Sequence, residues 1–139
     1  LIETKAIQQV IKAMIANKDI YYLGLRSKIK TEEEFKDRNV VKAVVDVNDY
    51  AMYFSRSPIP YTYDIGNAFR VLGLYGYRAS FLKKFADFTR SKLESLECGV
   101  EMLRVMERGY KIKLVETEFN TIGVDLPEHI PLIEERLRN

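Results

Sequence analysis

Apolar residues recur along the first segment at three- and four-residue spacing: Ile7, Val10, Ile11, Met14 and Ile15. That period marks one face of a helix and predicts an amphipathic helix over residues 4 to 17. "DIYYLGLRSKI", 19 to 29, is dense in Tyr, Leu and Ile and reads as a strand. "KTEEEFKD", 30 to 37, reads as a short helix with Thr31 at its N-cap, Glu34 at the third helical position and three acids that complement the helix dipole. "NVVKAVVDVNDYAMYFSRSPIP", 39 to 60, carries apolar runs on both sides of Asn48-Asp49, the mark of two strands joined by a tight turn. Beyond Pro60 comes an aromatic loop, and "VLGLYGYR", 71 to 78, predicts a further strand. "ASFLKKFADF" and most of 91 to 109 read as helices, with Gly109 as the stop. "YKIKLVETE" alternates as a strand, and a last helix is expected from Pro127 to about Leu137.

The order is helix, strand, short helix, hairpin, strand, two helices, strand, helix, with no repeat and no linker. It predicts an α/β fold with a mixed sheet and flanking helices, because the hairpin must be antiparallel while crossover helices permit parallel neighbours. Doubly wound sheets place ligands beyond the C-terminal ends of their strands. The loops after Pro60, Arg78 and Val124 are the candidates for that edge.

Composition narrows the class. The 139 residues can bury a core without disulfides or a structural metal. With 47% hydrophobic and 30% charged residues, the chain has the make-up of a soluble globular protein. No apolar run approaches the roughly 20 residues that span a bilayer, which argues against a membrane partner. The net charge of +2, with no stripe of Lys and Arg interleaved with aromatics, argues against nucleic acid. The single Cys98 forbids an internal disulfide and fits a reducing, cytoplasmic compartment. With only His129 in the chain to partner it, a buried inert thiol is the expectation. Residue 1 is Leu, and the helical pattern starts at once, which reads as a chain entered in mid-fold.

Four residues stand out as candidates for chemistry. Arg56 ends a strand that two prolines stop, so a guanidinium able to grip a carboxylate with two nitrogens is held on stiff backbone, unless a local acid already pairs with it. In "LGLYGYR" strand alternation puts Gly73, Tyr75 and Tyr77 on one face, where tyrosine offers a flat apolar body with a hydrogen-bonding tip, or simply fills a core. Glu97, Glu101 and Arg104 share one helix face by their four- and three-residue spacing, and an intrahelical Glu101–Arg104 pair, worth a few tenths of a kcal/mol, is the plainer reading. Asp125, at the end of "TIGVD", either caps the last helix in a capping box with Glu128 or presents a carboxylate to a metal. No Gly-rich phosphate loop, HExxH, Cys/His cluster or G-x-S-x-G occurs. The residues alone lead to an α/β domain with a polar pocket for an acidic small molecule.

Taken in order, "VVKAVVDVNDYAMYFSRSPIPY", "GLYGYR", "LRVMERGYKIKLVETE" and "IGVDLPEHI" resemble the C-terminal half of the CMP-Kdo synthetase (3-deoxy-manno-octulosonate cytidylyltransferase) family. "LIETKAIQQVI" is similar to the segment after that family's "GDEP" motif. The resemblance implies part of a Rossmann-like nucleotide-sugar transferase fold: residues 1–139 as a single partial domain for sugar binding and dimerisation, without the N-terminal nucleotide-binding half. It implies transfer of a cytidylyl group from CTP to an acidic keto-sugar, Kdo or a relative, for lipopolysaccharide or capsule synthesis, with Mg2+ and as a homodimer. By resemblance Asp125 is the metal-binding carboxylate and Arg56, Tyr75 and Glu101 are sugar-pocket residues.

The sequence also departs from the family. Val71 stands where a His is usual, Met102 where a Gln is usual, and Leu126 where a Thr caps the last helix. Around "SLECGVEMLR" there is one extra residue, which on a continuous helix turns Glu101 by about 100°. The loop between Pro60 and Val71 is shorter than usual. Without the first half, with its "PAR" loop and "GDEP" Asp, the expectation is a chain inactive by itself. The alternative is a truncated, non-catalytic homologue that binds a sugar or dimerises.

Overall fold

The computed structural model describes residues 2–119, 127 and 129–138. In chain order the elements are α1 (Thr4–Ala16), β1 (Tyr22–Lys28), α2 (Glu32–Lys36), β2 (Lys42–Val45), β3 (Ala51–Ser55), β4 (Phe69–Tyr77), α3 (Ala79–Ala86), α4 (Lys92–Leu96), α5 (Met102–Met106), β5 (Lys113–Glu116) and α6 (His129–Arg138), with a 3-10 turn at Ile65–Asn67. The strands form one mixed sheet in the order β3-β2-β4-β1-β5. β1 runs antiparallel to β4 and parallel to β5, and β2 is antiparallel to both β3 and β4. This is the mixed α/β architecture that the hydrophobic pattern predicts.

Alternation along β4 sends its two faces to different cores. Leu72 and Leu74 join Leu23 and Leu25 of β1 beneath α1, which buries Ala6, Val10 and Met14 against them. Gly76 lets the helix come close: a Cβ there would lie 2.7 Å from Val10 Cγ1 and 3.3 Å from Met14 Cγ. At the exit of the strand, Arg78 donates to the carbonyls of Met14, Asn17 and Ile20. It thereby pairs carbonyls that the last turn of α1 leaves without helical partners. On the opposite face Tyr75 and Tyr77 pack with Tyr22, Phe81, Leu103, Val105, Ile112 and Leu114. Tyr22 and Tyr77 have ring centroids 4.4 Å apart, and Tyr75 meets Tyr22 edge-on at 5.7 Å.

The β2–β3 turn is tied to the far edge of the sheet. Asp46 accepts from the backbone of Asn48 and Tyr50, and Asp49 takes a φ of 60°. Arg26 of β1, only 5% exposed, binds Asp49 at 2.7 Å and the Leu114 carbonyl, and lies 4.5 Å over the Phe69 ring. The Asp49 carboxyl is held below the usual range by its hydrogen bond to Arg26. Backbone bonds of 2.8 Å from Ala51 to Ile112 and from Leu114 to Asp49 complete the link to β5.

Three expectations change. The helix expected over 91 to 109 is broken: Cys98 and Gly99 take φ values of 52° and 87°, which end α4 before α5 begins. Cys98 lies on that turn and is exposed rather than buried. The strand expected from Val71 begins at Phe69. Gly109, at a φ of 78°, stops the second helix as predicted, and Thr31 caps α2 by accepting from Glu34 N.

Overpacking at the α1–β4 contact tests this arrangement. Gly76→Ala should cost about 1–3 kcal/mol, read as a lower urea midpoint with an unchanged slope. An unchanged midpoint would mean that α1 does not approach β4 at this point.

Candidate functional site

Arg56 follows the last residue of β3, where the strand ladder ends at the Lys42–Ser55 pair. Its backbone N–H donates to Glu97 Oε2 at 3.0 Å, and its carbonyl accepts from Lys42 Nζ at 2.8 Å. Its guanidinium makes one hydrogen bond, from Nη1 to the Arg38 carbonyl at 2.9 Å. Among the described residues no carboxylate pairs with that guanidinium. The nearby acid, Glu97, is instead spent on Tyr53, Ser55 and the Arg56 backbone.

Tyr75, Tyr77 and Tyr22 group their phenols on one side of the sheet, and Glu101 adds a carboxylate to the same place. Burial pushes the Tyr75 phenol well above the ordinary tyrosine range, and the negative charge of Glu101 raises it further. Burial does the same to Tyr22, reinforced by Tyr77 and Tyr75. The Tyr22 hydroxyl is turned toward Tyr77 yet meets no partner at good hydrogen-bonding geometry. Tyr77 is raised by burial as well. With Tyr22 wholly buried beneath them, the partly exposed Tyr75 and Tyr77 offer neutral phenols beside one carboxylate, a set suited to hydroxyl groups of a polyol.

The break at Cys98–Gly99 decides where Glu101 points. Glu97 is the C-cap of α4 and Glu101 the N-cap of α5, so the two acids do not share the face of one continuous helix. The chain leaves the helix at this positive-φ turn, so Glu101 is not placed by rotation about one continuous helix axis. Arg104 does not pair with Glu101; it binds both oxygens of Glu94, at 2.7 and 2.5 Å, and the Phe88 carbonyl at 3.0 Å. Glu94 is held below the usual carboxylate range chiefly by that bond, and it closes a capping box with Ser91. With Arg104 engaged, the Glu101 carboxylate is left facing the tyrosines.

Tyr75 and Glu101 are thus brought together, and Arg56 is linked to the α4–α5 connection through Glu97. Asp125 lies outside the described residues. The described residues do not fit a metal site: no group of three or more His, Cys, Asp or Glu side chains among them could hold an ion. A cavity of about 800 Å³ opens at the C-terminal ends of β1 and β5, walled by Ser27, Lys28, Glu116 and Phe119. It contains none of Arg56, Tyr75 and Glu101, and its wall includes the Arg70–Glu34 ion pair at 3.1 Å. Among the described residues no helix is long and apolar enough to cross a membrane.

Two contributors escaped the sequence reading. Lys42 is wholly buried in β2, and its one signal is a lone lysine inside the apolar run "NVVKAVV". Burial pushes its ammonium below the usual lysine range. Tyr22 has no sequence signal that separates it from any other strand tyrosine.

Comparison with known proteins agrees with this architecture. A family model described as cytidylyltransferase matches residues 1–112. The 3-deoxy-manno-octulosonate cytidylyltransferase of Fusobacterium nucleatum is 44% identical over 132 residues, covering 94% of this chain and 54% of that protein. The enzyme of the same name from Geotalea uraniireducens is 40% identical over a 151-residue alignment, covering 99% of this chain and 60% of that protein. The solved structure of CMP:2-keto-3-deoxy-manno-octonic acid synthetase complexed with CTP superposes with a TM-score of 0.86 at 27% identity, over 96% of this chain and 56% of that one. The chain spans a little over half the length of these relatives.

The tyrosine cluster carries a pH signature. An unfolded chain loses its phenolic protons near pH ~10, while the folded chain keeps those of Tyr22, Tyr75 and Tyr77 beyond that value. Above that pH the native state binds more protons than the unfolded one, so stability falls as pH rises. Absorbance at 295 nm, followed beside circular dichroism, should show these three of the nine tyrosines ionising only with unfolding. Ionisation of all nine before the structure is lost would contradict the buried cluster.

Proposed function

The chain belongs to the cytidylyltransferase family, and we propose that it is the C-terminal portion of an enzyme that activates an acidic keto-sugar with CTP. The reaction joins the anomeric oxygen of the sugar to the α-phosphorus of CTP and breaks the α–β phosphoanhydride. The products are the CMP-sugar and pyrophosphate, and the hydroxyl proton is lost to solvent or base. The sugar is Kdo or a close relative, the setting lipopolysaccharide or capsule synthesis in the cytoplasm, and the assembly a homodimer.

The observation that carries this reading is the Arg56 guanidinium, unpaired with any described carboxylate, on the element that leads through Glu97 to Glu101 and Tyr75. Arg56 grips the sugar carboxylate with its planar fork. Tyr75 and Glu101 receive the sugar hydroxyls, the phenol donating or accepting and the carboxylate accepting. Asp125 is assigned to Mg2+, which when bound supplies positive charge to the phosphates. Among the described residues no cluster of carboxylates, His or Cys completes such a site around it.

Two surfaces support the reading of an incomplete domain. β2 pairs with β4 only at Phe69 and Arg70, with one further bond from Val71 N to Val41 O. From Leu72 to Tyr77 the same edge of β4 meets no strand among the described residues. On α1, Gln9 reaches the Glu116 carbonyl on the β5 flank, and Val10 faces the sheet. One position later, about 100° round the helix, Ile7, Ile11 and Ile15 point to the other flank, above that open edge, and are 42%, 51% and 71% exposed. An open strand edge beside an exposed apolar stripe is the kind of surface that a further part of the same fold would cover. On this reading the nucleotide-binding residues belong to the part of such an enzyme outside these 139 residues.

A second reading draws on Met102 and Val71. Met102 is 2% exposed in the core and Val71 packs against the same cluster, so neither offers a polar contact to a ligand. A homologue altered in this way either takes a different keto-sugar acid or binds a sugar or dimerises without nucleotide chemistry.

The deciding experiment is pyrophosphate release from CTP and Kdo by the native polypeptide that contains this sequence, beside Kdo titration of the 139-residue chain by 1H–15N spectra. Kdo-dependent release, with shifts at Arg56, Tyr75 and Glu101, is expected. Sugar binding without release supports the module, and neither overturns both readings. In the active polypeptide Arg56→Ala should raise the sugar KM by ten- to a hundredfold, the scale of about 1.5–3 kcal/mol for a charged hydrogen bond. The KM for CTP should stay unchanged, and equal effects on both substrates would remove Arg56 from the sugar site. Asp125→Asn should lower turnover with the fold intact; near-normal turnover would reject its metal role.

A further inference from the structure

The strand-end backbone of Arg56 is held in an unusual way. Beyond Ser55 the β2–β3 ladder has run out, so neither the N–H nor the carbonyl of Arg56 has a strand partner. Two charged side chains from different elements replace one. Glu97, at the end of α4, takes the N–H at 3.0 Å, and its oxygens also accept from Ser55 Oγ at 2.9 Å and Tyr53 Oη at 3.1 Å. Lys42, with no exposed surface, gives one N–H each to the carbonyls of Asp37, Val40 and Arg56, at 2.5, 2.9 and 2.8 Å. An ammonium has three N–H donors, and all three are spent on backbone.

We infer that Lys42 and Glu97 are positioning residues for sugar-acid recognition, acting through Arg56 by fixing both ends of its backbone. The inference rests on the assignment of Arg56 to the sugar carboxylate. Its physical basis is that an arginine fork works only when both nitrogens meet both oxygens, so a small rotation of the main chain at its root costs one of the two bonds. Among the described residues the side chain itself is tethered only at the Arg38 carbonyl, so the clamp on the backbone sets where the guanidinium starts. The same carboxylate that holds Arg56 belongs to the α4–α5 connection that presents Glu101, and so the two halves of the recognition site share one anchor.

The test is a double-mutant cycle on sugar-acid affinity, measured by Kdo titration of the native polypeptide that contains this sequence, with thermal midpoints recorded alongside. Glu97→Gln keeps the shape and the bonds from Ser55 and Tyr53 but can turn an amide NH2 toward the Arg56 N–H. It should weaken Kdo binding roughly tenfold while the same change in the Arg56→Ala background has no further effect. Lys42→Met is made in parallel; where it lowers the midpoint too far to give a folded protein, Glu97→Gln carries the test. Glu97→Gln binding as tightly as the parent, or weakening binding equally with and without the Arg56 side chain, overturns the positioning role and leaves the Arg56 assignment standing. No Kdo binding by the parent polypeptide, or parent-like binding by Arg56→Ala, overturns the assignment of Arg56 and the inference with it.

Discussion

The register of β4 is the constraint on which the rest of the molecule depends. Its side chains alternate with period two, so one choice of register sends Leu72, Leu74 and Gly76 to α1 and Tyr75 and Tyr77 to the helices of the opposite layer. A slip of one residue would drive two tyrosines into the place where α1 approaches within 2.7 Å of an absent Cβ. Gly76 therefore fixes both sides of the sheet: the helix contact excludes the alternative, and the phenols are left where Glu101 can meet them. The shift in the β1–β4 pairing between Gly24 and Leu25 falls within this stretch. Gly24 itself accommodates Tyr75, since a Cβ there would lie 3.2 Å from its ring.

Around that strand the loops are held by charged side chains that donate to carbonyls or pair with acids. Arg78 closes the end of α1, Arg26 ties the β2–β3 turn to β5, Arg104 joins α4 to α5, and Lys42 gathers three carbonyls near the ends of β2 and β3. These groups cost desolvation when buried, and each recovers it by satisfying backbone that the sheet and short helices leave open. The helices α4 and α5 are five residues each, too short to persist alone in water. Their placement, and hence that of Glu101, depends on the Glu94–Arg104 pair and on Glu97.

Elements with a strong period were legible from the sequence because burial and periodicity say the same thing there. α1, β1, the hairpin about Asn48-Asp49 and the Gly109 stop all belong to this class. What escaped was set by tertiary contact. The Cys98–Gly99 break carries one sequence signal, Gly99 inside the helical pattern, but Cys is an ordinary helix residue and only its φ of 52° shows that the chain leaves the helix there. Arg104 could be assigned to Glu101 by spacing, yet Glu94 wins because it offers two oxygens in a buried setting to a two-pronged donor. The pairing of Tyr75 with Glu101 came from family resemblance, whereas the clamp on Arg56 needed coordinates, because Lys42 and Glu97 are 14 and 41 residues away from it in sequence.

The same division governs Glu101 and its neighbour. A continuous helix through Glu97 and Glu101 would stack the two acids on one face, but the chain leaves the helix at Cys98, and beyond the positive-φ pair the acid at 101 faces the tyrosines. Met102 lies immediately after it, on a helix turn that points into the core, where an amide would have to find partners among Leu103, Val105 and Ile112. A thioether needs none. The interior therefore favours methionine here, and the same packing leaves Met102 no polar contact to offer a ligand.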